Sequence, residues 1–135
     1  MYSDLVLLTA AAAHLGFQLA VSGVVYPALA REPAERWSEV HRAHSRRITP
    51  VVIAVYGLLA VGCGWALLSG PGFWTLIAVG ASAFAALVTA AGAAPTHSRL
   101  GAGWNRPLIE RLLVVDRLRT AGAAAGTVAA FLAAR

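Results

Sequence analysis

PTHSRLGAGWNRPLIERLLVVDRLRT, residues 95–120, decides how this chain must be arranged. Pro95 closes one apolar run, and Gly101 and Gly103 mark a bend. Pro107 then opens a new helix, a position where its missing N–H is not needed. That helix carries Asp116, Arg117 and Arg119 into what reads as a further apolar segment. Ionisable groups in lipid are costly and need partners or water, so they mark a functional site by default.

Working outward, four runs reach the roughly 20 residues that a membrane crossing requires: 5–30, 48–69, 73–94 and 112–134. Ala28-Leu29-Ala30 resembles a signal-peptide cleavage site, but the run before it is too long and its head carries Asp4 and no basic residue. The expectation is therefore an uncleaved span. Composition agrees: 59% of residues are hydrophobic, only 13% are charged and mean hydropathy is +0.68, far from a soluble domain.

All 11 basic residues are arginine, and eight of them sit between the apolar runs. A sequence pI near 10.7 would suit nucleic acid. Placement in the gaps instead points to topology and anionic lipid, so the bilayer is the expected partner and nucleic acid is not. Segment 31–47 holds Arg31, Arg36, Arg42, Arg46 and Arg47, and segment 97–111 holds Arg99, Arg106 and Arg111. The Gly70-Pro71-Gly72 turn holds none and the C-terminus only Arg135. The positive-inside rule then makes this a multi-pass cell-membrane protein with loops 31–47 and 95–111 cytoplasmic and both termini outside. The tight turn at 70–72 makes the second and third spans a hairpin, and the expected fold is an all-α, up-down four-helix membrane bundle of one domain.

Segment 31–47 is expected to hold a short amphipathic helix on the inner surface. Pro33 suits its start, Trp37, Val40, His41 and His44 recur at helical spacing, and Trp37 would sit at headgroup level. Apolar residues gain nothing by leaving lipid for one another, so the spans must associate through small and polar residues. Gly122 and Gly126 form a GxxxG face suited to packing within the chain, with a homo-oligomer through the same face left open. Cys63, the single cysteine, excludes an internal disulfide and reads as a small packing residue.

The polar residues fall in stripes. His14, Gln18, Ser22 and Tyr26 recur every fourth residue in the first run, and Thr49, Tyr56 and Cys63 recur at sevens in the second. Ser82, Thr89 and Thr96 do the same in the third, and Asp116, Thr120 and Thr127 share a side of the fourth. Turned inward, these faces line a polar pocket. His14, Gln18, Tyr26, Tyr56, Asp116, Arg119 and Thr120 form an inner group suited to an anionic or quinone-like molecule. In it Arg119 would face an oxygen, and a His or Tyr would move a proton. The alternative is an Asp116–Arg119 or Asp116–Arg117 pair that only neutralises the span. His41, His44 and His97 form a separate group at the cytoplasmic rim, about 20 Å from His14 at the helical rise. There His44 and His41 are candidate metal ligands, since imidazole suits Zn, Cu and Fe. No Ser-His-Asp set, P-loop, HExxH or dinucleotide fingerprint is present.

Pro95-x-His97-x-x-Leu100, the Gly-rich turn, and Leu112…Asp116-x-x-Arg119-Thr120 together resemble the anthrone-oxygenase-like family of small four-span bacterial membrane proteins. The resemblance covers most of the length and rests chiefly on residues 95–120. It implies oxygenation of a lipophilic polycyclic phenol, with His97, Arg119 and Thr120 as site residues and His14 and His44 beside them. Asp116 stands where that family more often has Asn, and Leu118 where Trp is common. A looser likeness, His14 and Pro27 followed only by Arg31, is to the four-span haem oxidases of porphyrin synthesis. The resulting expectation is a membrane-embedded oxidoreductase or oxygenase acting on a lipophilic aromatic or quinoid small molecule. Its catalytic set is His97, Arg119, His14, Tyr26 and Asp116, and its substrate-binding set Gln18, Tyr56 and Thr120. Cofactor use stays open between none, a His-bound metal and haem. The competing expectation is a non-enzymatic lipid, haem or metal binder, a transporter subunit or an assembly factor.

Overall fold

A computed structural model describes residues 2–135. These residues form four long helices and no strand. Helix α1 spans Tyr2–Ala30, α2 Trp37–Leu68 and α3 Phe73–Leu100. Helix α4 spans Arg106–Ala133. The first three are long and apolar enough to cross a membrane. Helix α4 has the length, but Asp116, Arg117 and Arg119 interrupt its apolar stretch.

The contacts show successive helices running in opposite directions. Gly62 of α2 approaches Leu7 and Ala10 of α1, while Tyr56 meets His14 further along. Tyr56 also bonds Thr89 of α3, and His41 meets His97 nearer the other end. On α4, Gly126 lies against Ser82, Gly122 against Ala85, and Val115 against Gly92. Helices α1 and α3 run parallel, tied by Thr75–Asp4 at one end and Tyr26–His97 at the other.

Small residues set these approaches. A β-carbon on Gly122 would lie 3.0 Å from Phe84 Cδ1 and 3.2 Å from Ala85 Cβ. The GxxxG face is thus filled by α3 of the same chain, and an oligomer expected through Gly122 and Gly126 would have to use another surface. Two apolar clusters result. One gathers Leu7, Ala10, Leu59, Ala78 and Ala130, and the other Val21, Leu29, Trp37, Leu100 and Leu112. Along α1 and α4 the buried polar residues fall largely between them. The outward faces are apolar: Val24, Val61, Leu68, Leu87 and Val128 are largely exposed.

Three expectations from sequence need correction. No separate amphipathic helix exists in the first loop, because Trp37–Leu68 is one helix that runs through Pro50. A proline there forfeits the bond to the carbonyl four residues back. That carbonyl belongs to Arg46, an exposed residue near the polar end of α2, so the helix continues. Trp37 is not at a surface either. It is 1% exposed, stacks on His41, and donates its Nε1–H to Leu100 O over 2.9 Å, satisfying a carbonyl at the end of α3. Finally, the links shorten to residues 31–36 and 101–105, since α3 continues to Leu100 and α4 begins at Arg106. Asn105 caps α4 by accepting from Leu108 N–H, and Pro107 sits in the first turn as expected.

Helices α1 and α3 share one irregularity. Val21–Val25 in α1 and Thr89–Ala93 in α3 are single π-helical turns, closed by Tyr26 N–H to Val21 O and Ala94 N–H to Thr89 O. Each turn ends just ahead of a proline, Pro27 or Pro95, so the missing donor falls where the hydrogen-bond ladder changes register.

Candidate active site

Arg119 is the centre of the polar interior. It projects from α4 toward α1 and is 3% exposed. Its Nη2 donates to Gln18 Oε1 at 2.8 Å and its Nη1 to Tyr26 Oη at 3.3 Å. Asp116, one turn earlier on α4, places Oδ1 4.0 Å from Nη1, a loose ion pair between two side chains with almost no solvent contact. The other carboxylate oxygen, Oδ2, accepts the hydroxyl of Ser22, which also lies 2.9 Å from Thr120 Oγ1. Each buried charge thus has a partner and hydrogen bonds on part of its polar atoms, while Asp116 Oδ1 and Arg119 Nε keep no hydrogen-bond partner. Arg117, the other residue considered for Asp116, is exposed.

A row of hydrogen bonds leaves this centre. Tyr26 Oη lies 3.0 Å from His97 Nε2, and His97 Nδ1 lies 3.3 Å from His41 Nε2. A guanidinium can only donate, so Arg119 donates to Tyr26 Oη. The Tyr26–His97 and His97–His41 bonds run in either direction, according to the imidazole tautomer. Such a row can hold an oxygen at one end and pass a proton along its length.

The row runs beside a cavity of about 500 Å³. Its walls are α2 residues from Ser38 to Ile53 and α3 residues from Thr89 to Ser98, with Gly101 of the following link. Phe17, Val21 and Tyr26 of α1, with Arg119 of α4, complete the lining. Val21, Thr89 and Ala93 belong to the two π-turns, so both irregular turns border this space. A π-turn beside a functional site is a recurring association.

The division into a rim group and an inner group does not hold. Tyr26 and His97 are in hydrogen-bond contact, which joins the two sets into one row from Gln18 to His41. His14 stands apart from it. It is 1% exposed, packs edge-on against Tyr56 at 4.8 Å and does not line the cavity. Tyr56 hydrogen-bonds Thr89 at 2.6 Å and also misses the cavity wall. Thr120 likewise serves Ser22 and Asp116 rather than the cavity. The stripe reading had placed Ser22 on the right face without seeing it as the carboxylate's partner.

His41 and His44 do face the cavity, but as stacked rings. His97 lies 5.5 Å from His41 and 5.8 Å from His44 between ring centres. Among the described residues, no group of three His, Cys, Asp or Glu side chains converges to hold a metal ion. His41 spends Nε2 on His97, and His97 spends both ring nitrogens on His41 and Tyr26. The expected metal pair therefore lacks a third ligand among its neighbours.

No protein-family model, characterised protein or solved structure matches this chain.

Proposed function

We propose that the chain is a four-span, up-down membrane bundle whose cavity takes a lipophilic aromatic or quinoid molecule from the bilayer and supports its oxygenation. The lipid-facing role is supported by the exposed apolar side chains on α1 to α4. Arg31, Arg36, Arg42, Arg46, Arg47, Arg99, Arg106 and Arg111 are all exposed toward one end, which supports a cytoplasmic setting for that end and an external one for both termini. Helix α4 fits lipid in spite of its charges because Asp116 and Arg119 point at neighbouring helices, the usual orientation of ionisable groups in spans.

The observation that carries the chemical reading is the row Arg119–Tyr26–His97–His41 along the cavity wall. A phenol or enol oxygen held near Arg119 and Tyr26 is stabilised as an anion by the guanidinium. The row draws the proton away through His97. A methylene between aromatic rings, once deprotonated, gives its electron pair to dioxygen and forms a C–O bond. Return of the proton gives a hydroperoxide, and loss of water from it leaves a carbonyl. One atom of dioxygen stays in the product and the other leaves in water.

The test is oxygen uptake and product absorbance with anthrone as probe, on protein in lipid nanodiscs. Uptake matched one-to-one by quinone, and lost in Tyr26→Phe and His97→Ala, supports the reading. Saturable anthrone binding without uptake above empty nanodiscs would replace it with the binder.

A further inference from the structure

The cavity has a charge pattern that the proposed reaction does not by itself require. Two arginines line it, Arg42 at the exposed edge of α2 and Arg119 at the inner end, together with His41, His44 and His97. Among the described residues, no carboxylate lines it. The six acids of the chain lie elsewhere: Asp116 faces Ser22, and Glu39 borders a separate hollow on the other side of α2. Two of the lining side chains also carry a buried nitrogen with no hydrogen-bond partner. Arg119 Nε and His44 Nε2 are buried and have no partner, and Arg119 Nε can only donate. A buried donor left unmet is costly, so it calls for an acceptor from a ligand or water.

Between the two arginines the wall is mostly apolar, with Ile48, Val52 and Ile53 of α2 and Phe17 and Val21 of α1 beside the hydroxyls of Ser45, Thr49 and Thr89. From Arg42 to Ile53 the α2 wall extends about 16 Å at the helical rise. The volume of about 500 Å³ falls in the range of sites for small organic ligands. A mostly apolar channel with a cation at each end, and no acid, discriminates against cations and leaves a neutral ligand's ends unmatched.

We infer that the cavity selects a lipophilic anion, an apolar ring or chain system bearing an acidic oxygen group, with Arg42 as the specificity-determining residue at the mouth. This rests on the cavity being the binding site proposed above and narrows its ligand from lipophilic to acidic. The same chemistry has two sources: a free aromatic or fatty acid, or the headgroup and chain of an anionic lipid.

Equilibrium dialysis in zwitterionic nanodiscs tests it, with anthracenecarboxylate and its methyl ester as matched probes and empty nanodiscs subtracted. The acid should bind at least about tenfold tighter than the ester, the scale of one charge-assisted hydrogen bond. Arg42→Gln should remove most of that advantage and leave the ester unchanged. Arg42 is exposed, so the variant should keep the parent's helicity and melting temperature. Displacement of the acid by added phosphatidylglycerol supports the site and assigns it to a lipid headgroup, whereas retention of the acid assigns it to a free acid. Equal binding of acid and ester overturns the inference while leaving the cavity as a binding site. Binding of neither probe overturns both.

Discussion

Replacing Arg119 with leucine tests the interior most directly. The guanidinium holds Gln18 Oε1 at 2.8 Å and Tyr26 Oη at 3.3 Å, and it is the counter-charge 4.0 Å from Asp116 Oδ1. Arg119→Leu strands a carboxylate whose remaining support is Ser22. Breaking a buried pair by removing one partner costs about 3 to 5 kcal/mol. The 4.0 Å separation places this pair at the lower end, about 3 kcal/mol. At about 3 °C per kcal/mol for a chain of this size, the melting temperature falls by about 10 °C. Adding Asp116→Asn to that variant removes the stranded charge while keeping an acceptor for Ser22. The double variant should recover about 1 to 2 kcal/mol relative to Arg119→Leu. Thermal unfolding followed by circular dichroism in one detergent, for the parent, both single variants and the double, gives the coupling. Additive losses, or a single Arg119→Leu within about 0.5 kcal/mol of the parent, would refute the buried pair as a stabilising unit.

Tyr26→Phe leaves His97 Nε2 and one Arg119 N–H without their partner but keeps the ring in place. Oxygen uptake with anthrone should fall by about 100-fold or more, as for loss of a positioned proton donor, while the melting temperature drops by only a few degrees. Gly122→Val should destabilise by about 1 to 3 kcal/mol in the same melts, because even its β-carbon meets Phe84 and Ala85. Gly57→Ala and Gly64→Ala meet nothing within 4 Å and should be stabilising by up to about 1 kcal/mol. An equal loss at all three glycines would argue against the α3–α4 contact. Trp37→Phe keeps the stack on His41 but removes the bond to Leu100 O. Its expected cost is about 1 kcal/mol, with faster amide hydrogen exchange confined to the links and the end of α3.

Helix number, approximate extents and alternation were legible because apolar runs, glycine turns and prolines report them directly. The inward face of α1 was legible from the spacing of His14, Gln18, Ser22 and Tyr26, and burial of His14, Gln18 and Tyr26 agrees with it. What misled was depth. Counting residues along separate helices placed His97 at a rim and Tyr26 inside, although α1 and α3 run parallel and bring the two side chains to the same level. Trp37 was read as interfacial because tryptophan favours headgroups, and only its tertiary partner, Leu100 O, reverses that preference. The arginine and histidine content of 37–47 likewise concealed a continuation of α2, since a helix can leave its apolar stretch without ending. The cavity wall could not be read at all: Phe17, Val21 and Ile53 are ordinary apolar residues in ordinary runs.

The two π-turns carry a consequence for how the chain tolerates insertion and deletion. In an unbroken helix, at about 100° per residue, Gln18 and Tyr26 would diverge by about 80°. Absorbing one residue in the wide turn at Val21–Val25 brings them within about 20° of each other, so both can address one guanidinium. Excising a single residue from that turn, Gly23 for instance, lets it rewind as ordinary helix and leaves Tyr26 on its present bearing, only displaced along the axis. The same excision between Leu7 and Ala11 swings Gln18 and Tyr26 by about 100° relative to the start of α1. The wide turns thus act as slack in the thread, places where the chain can change its length without changing its aim.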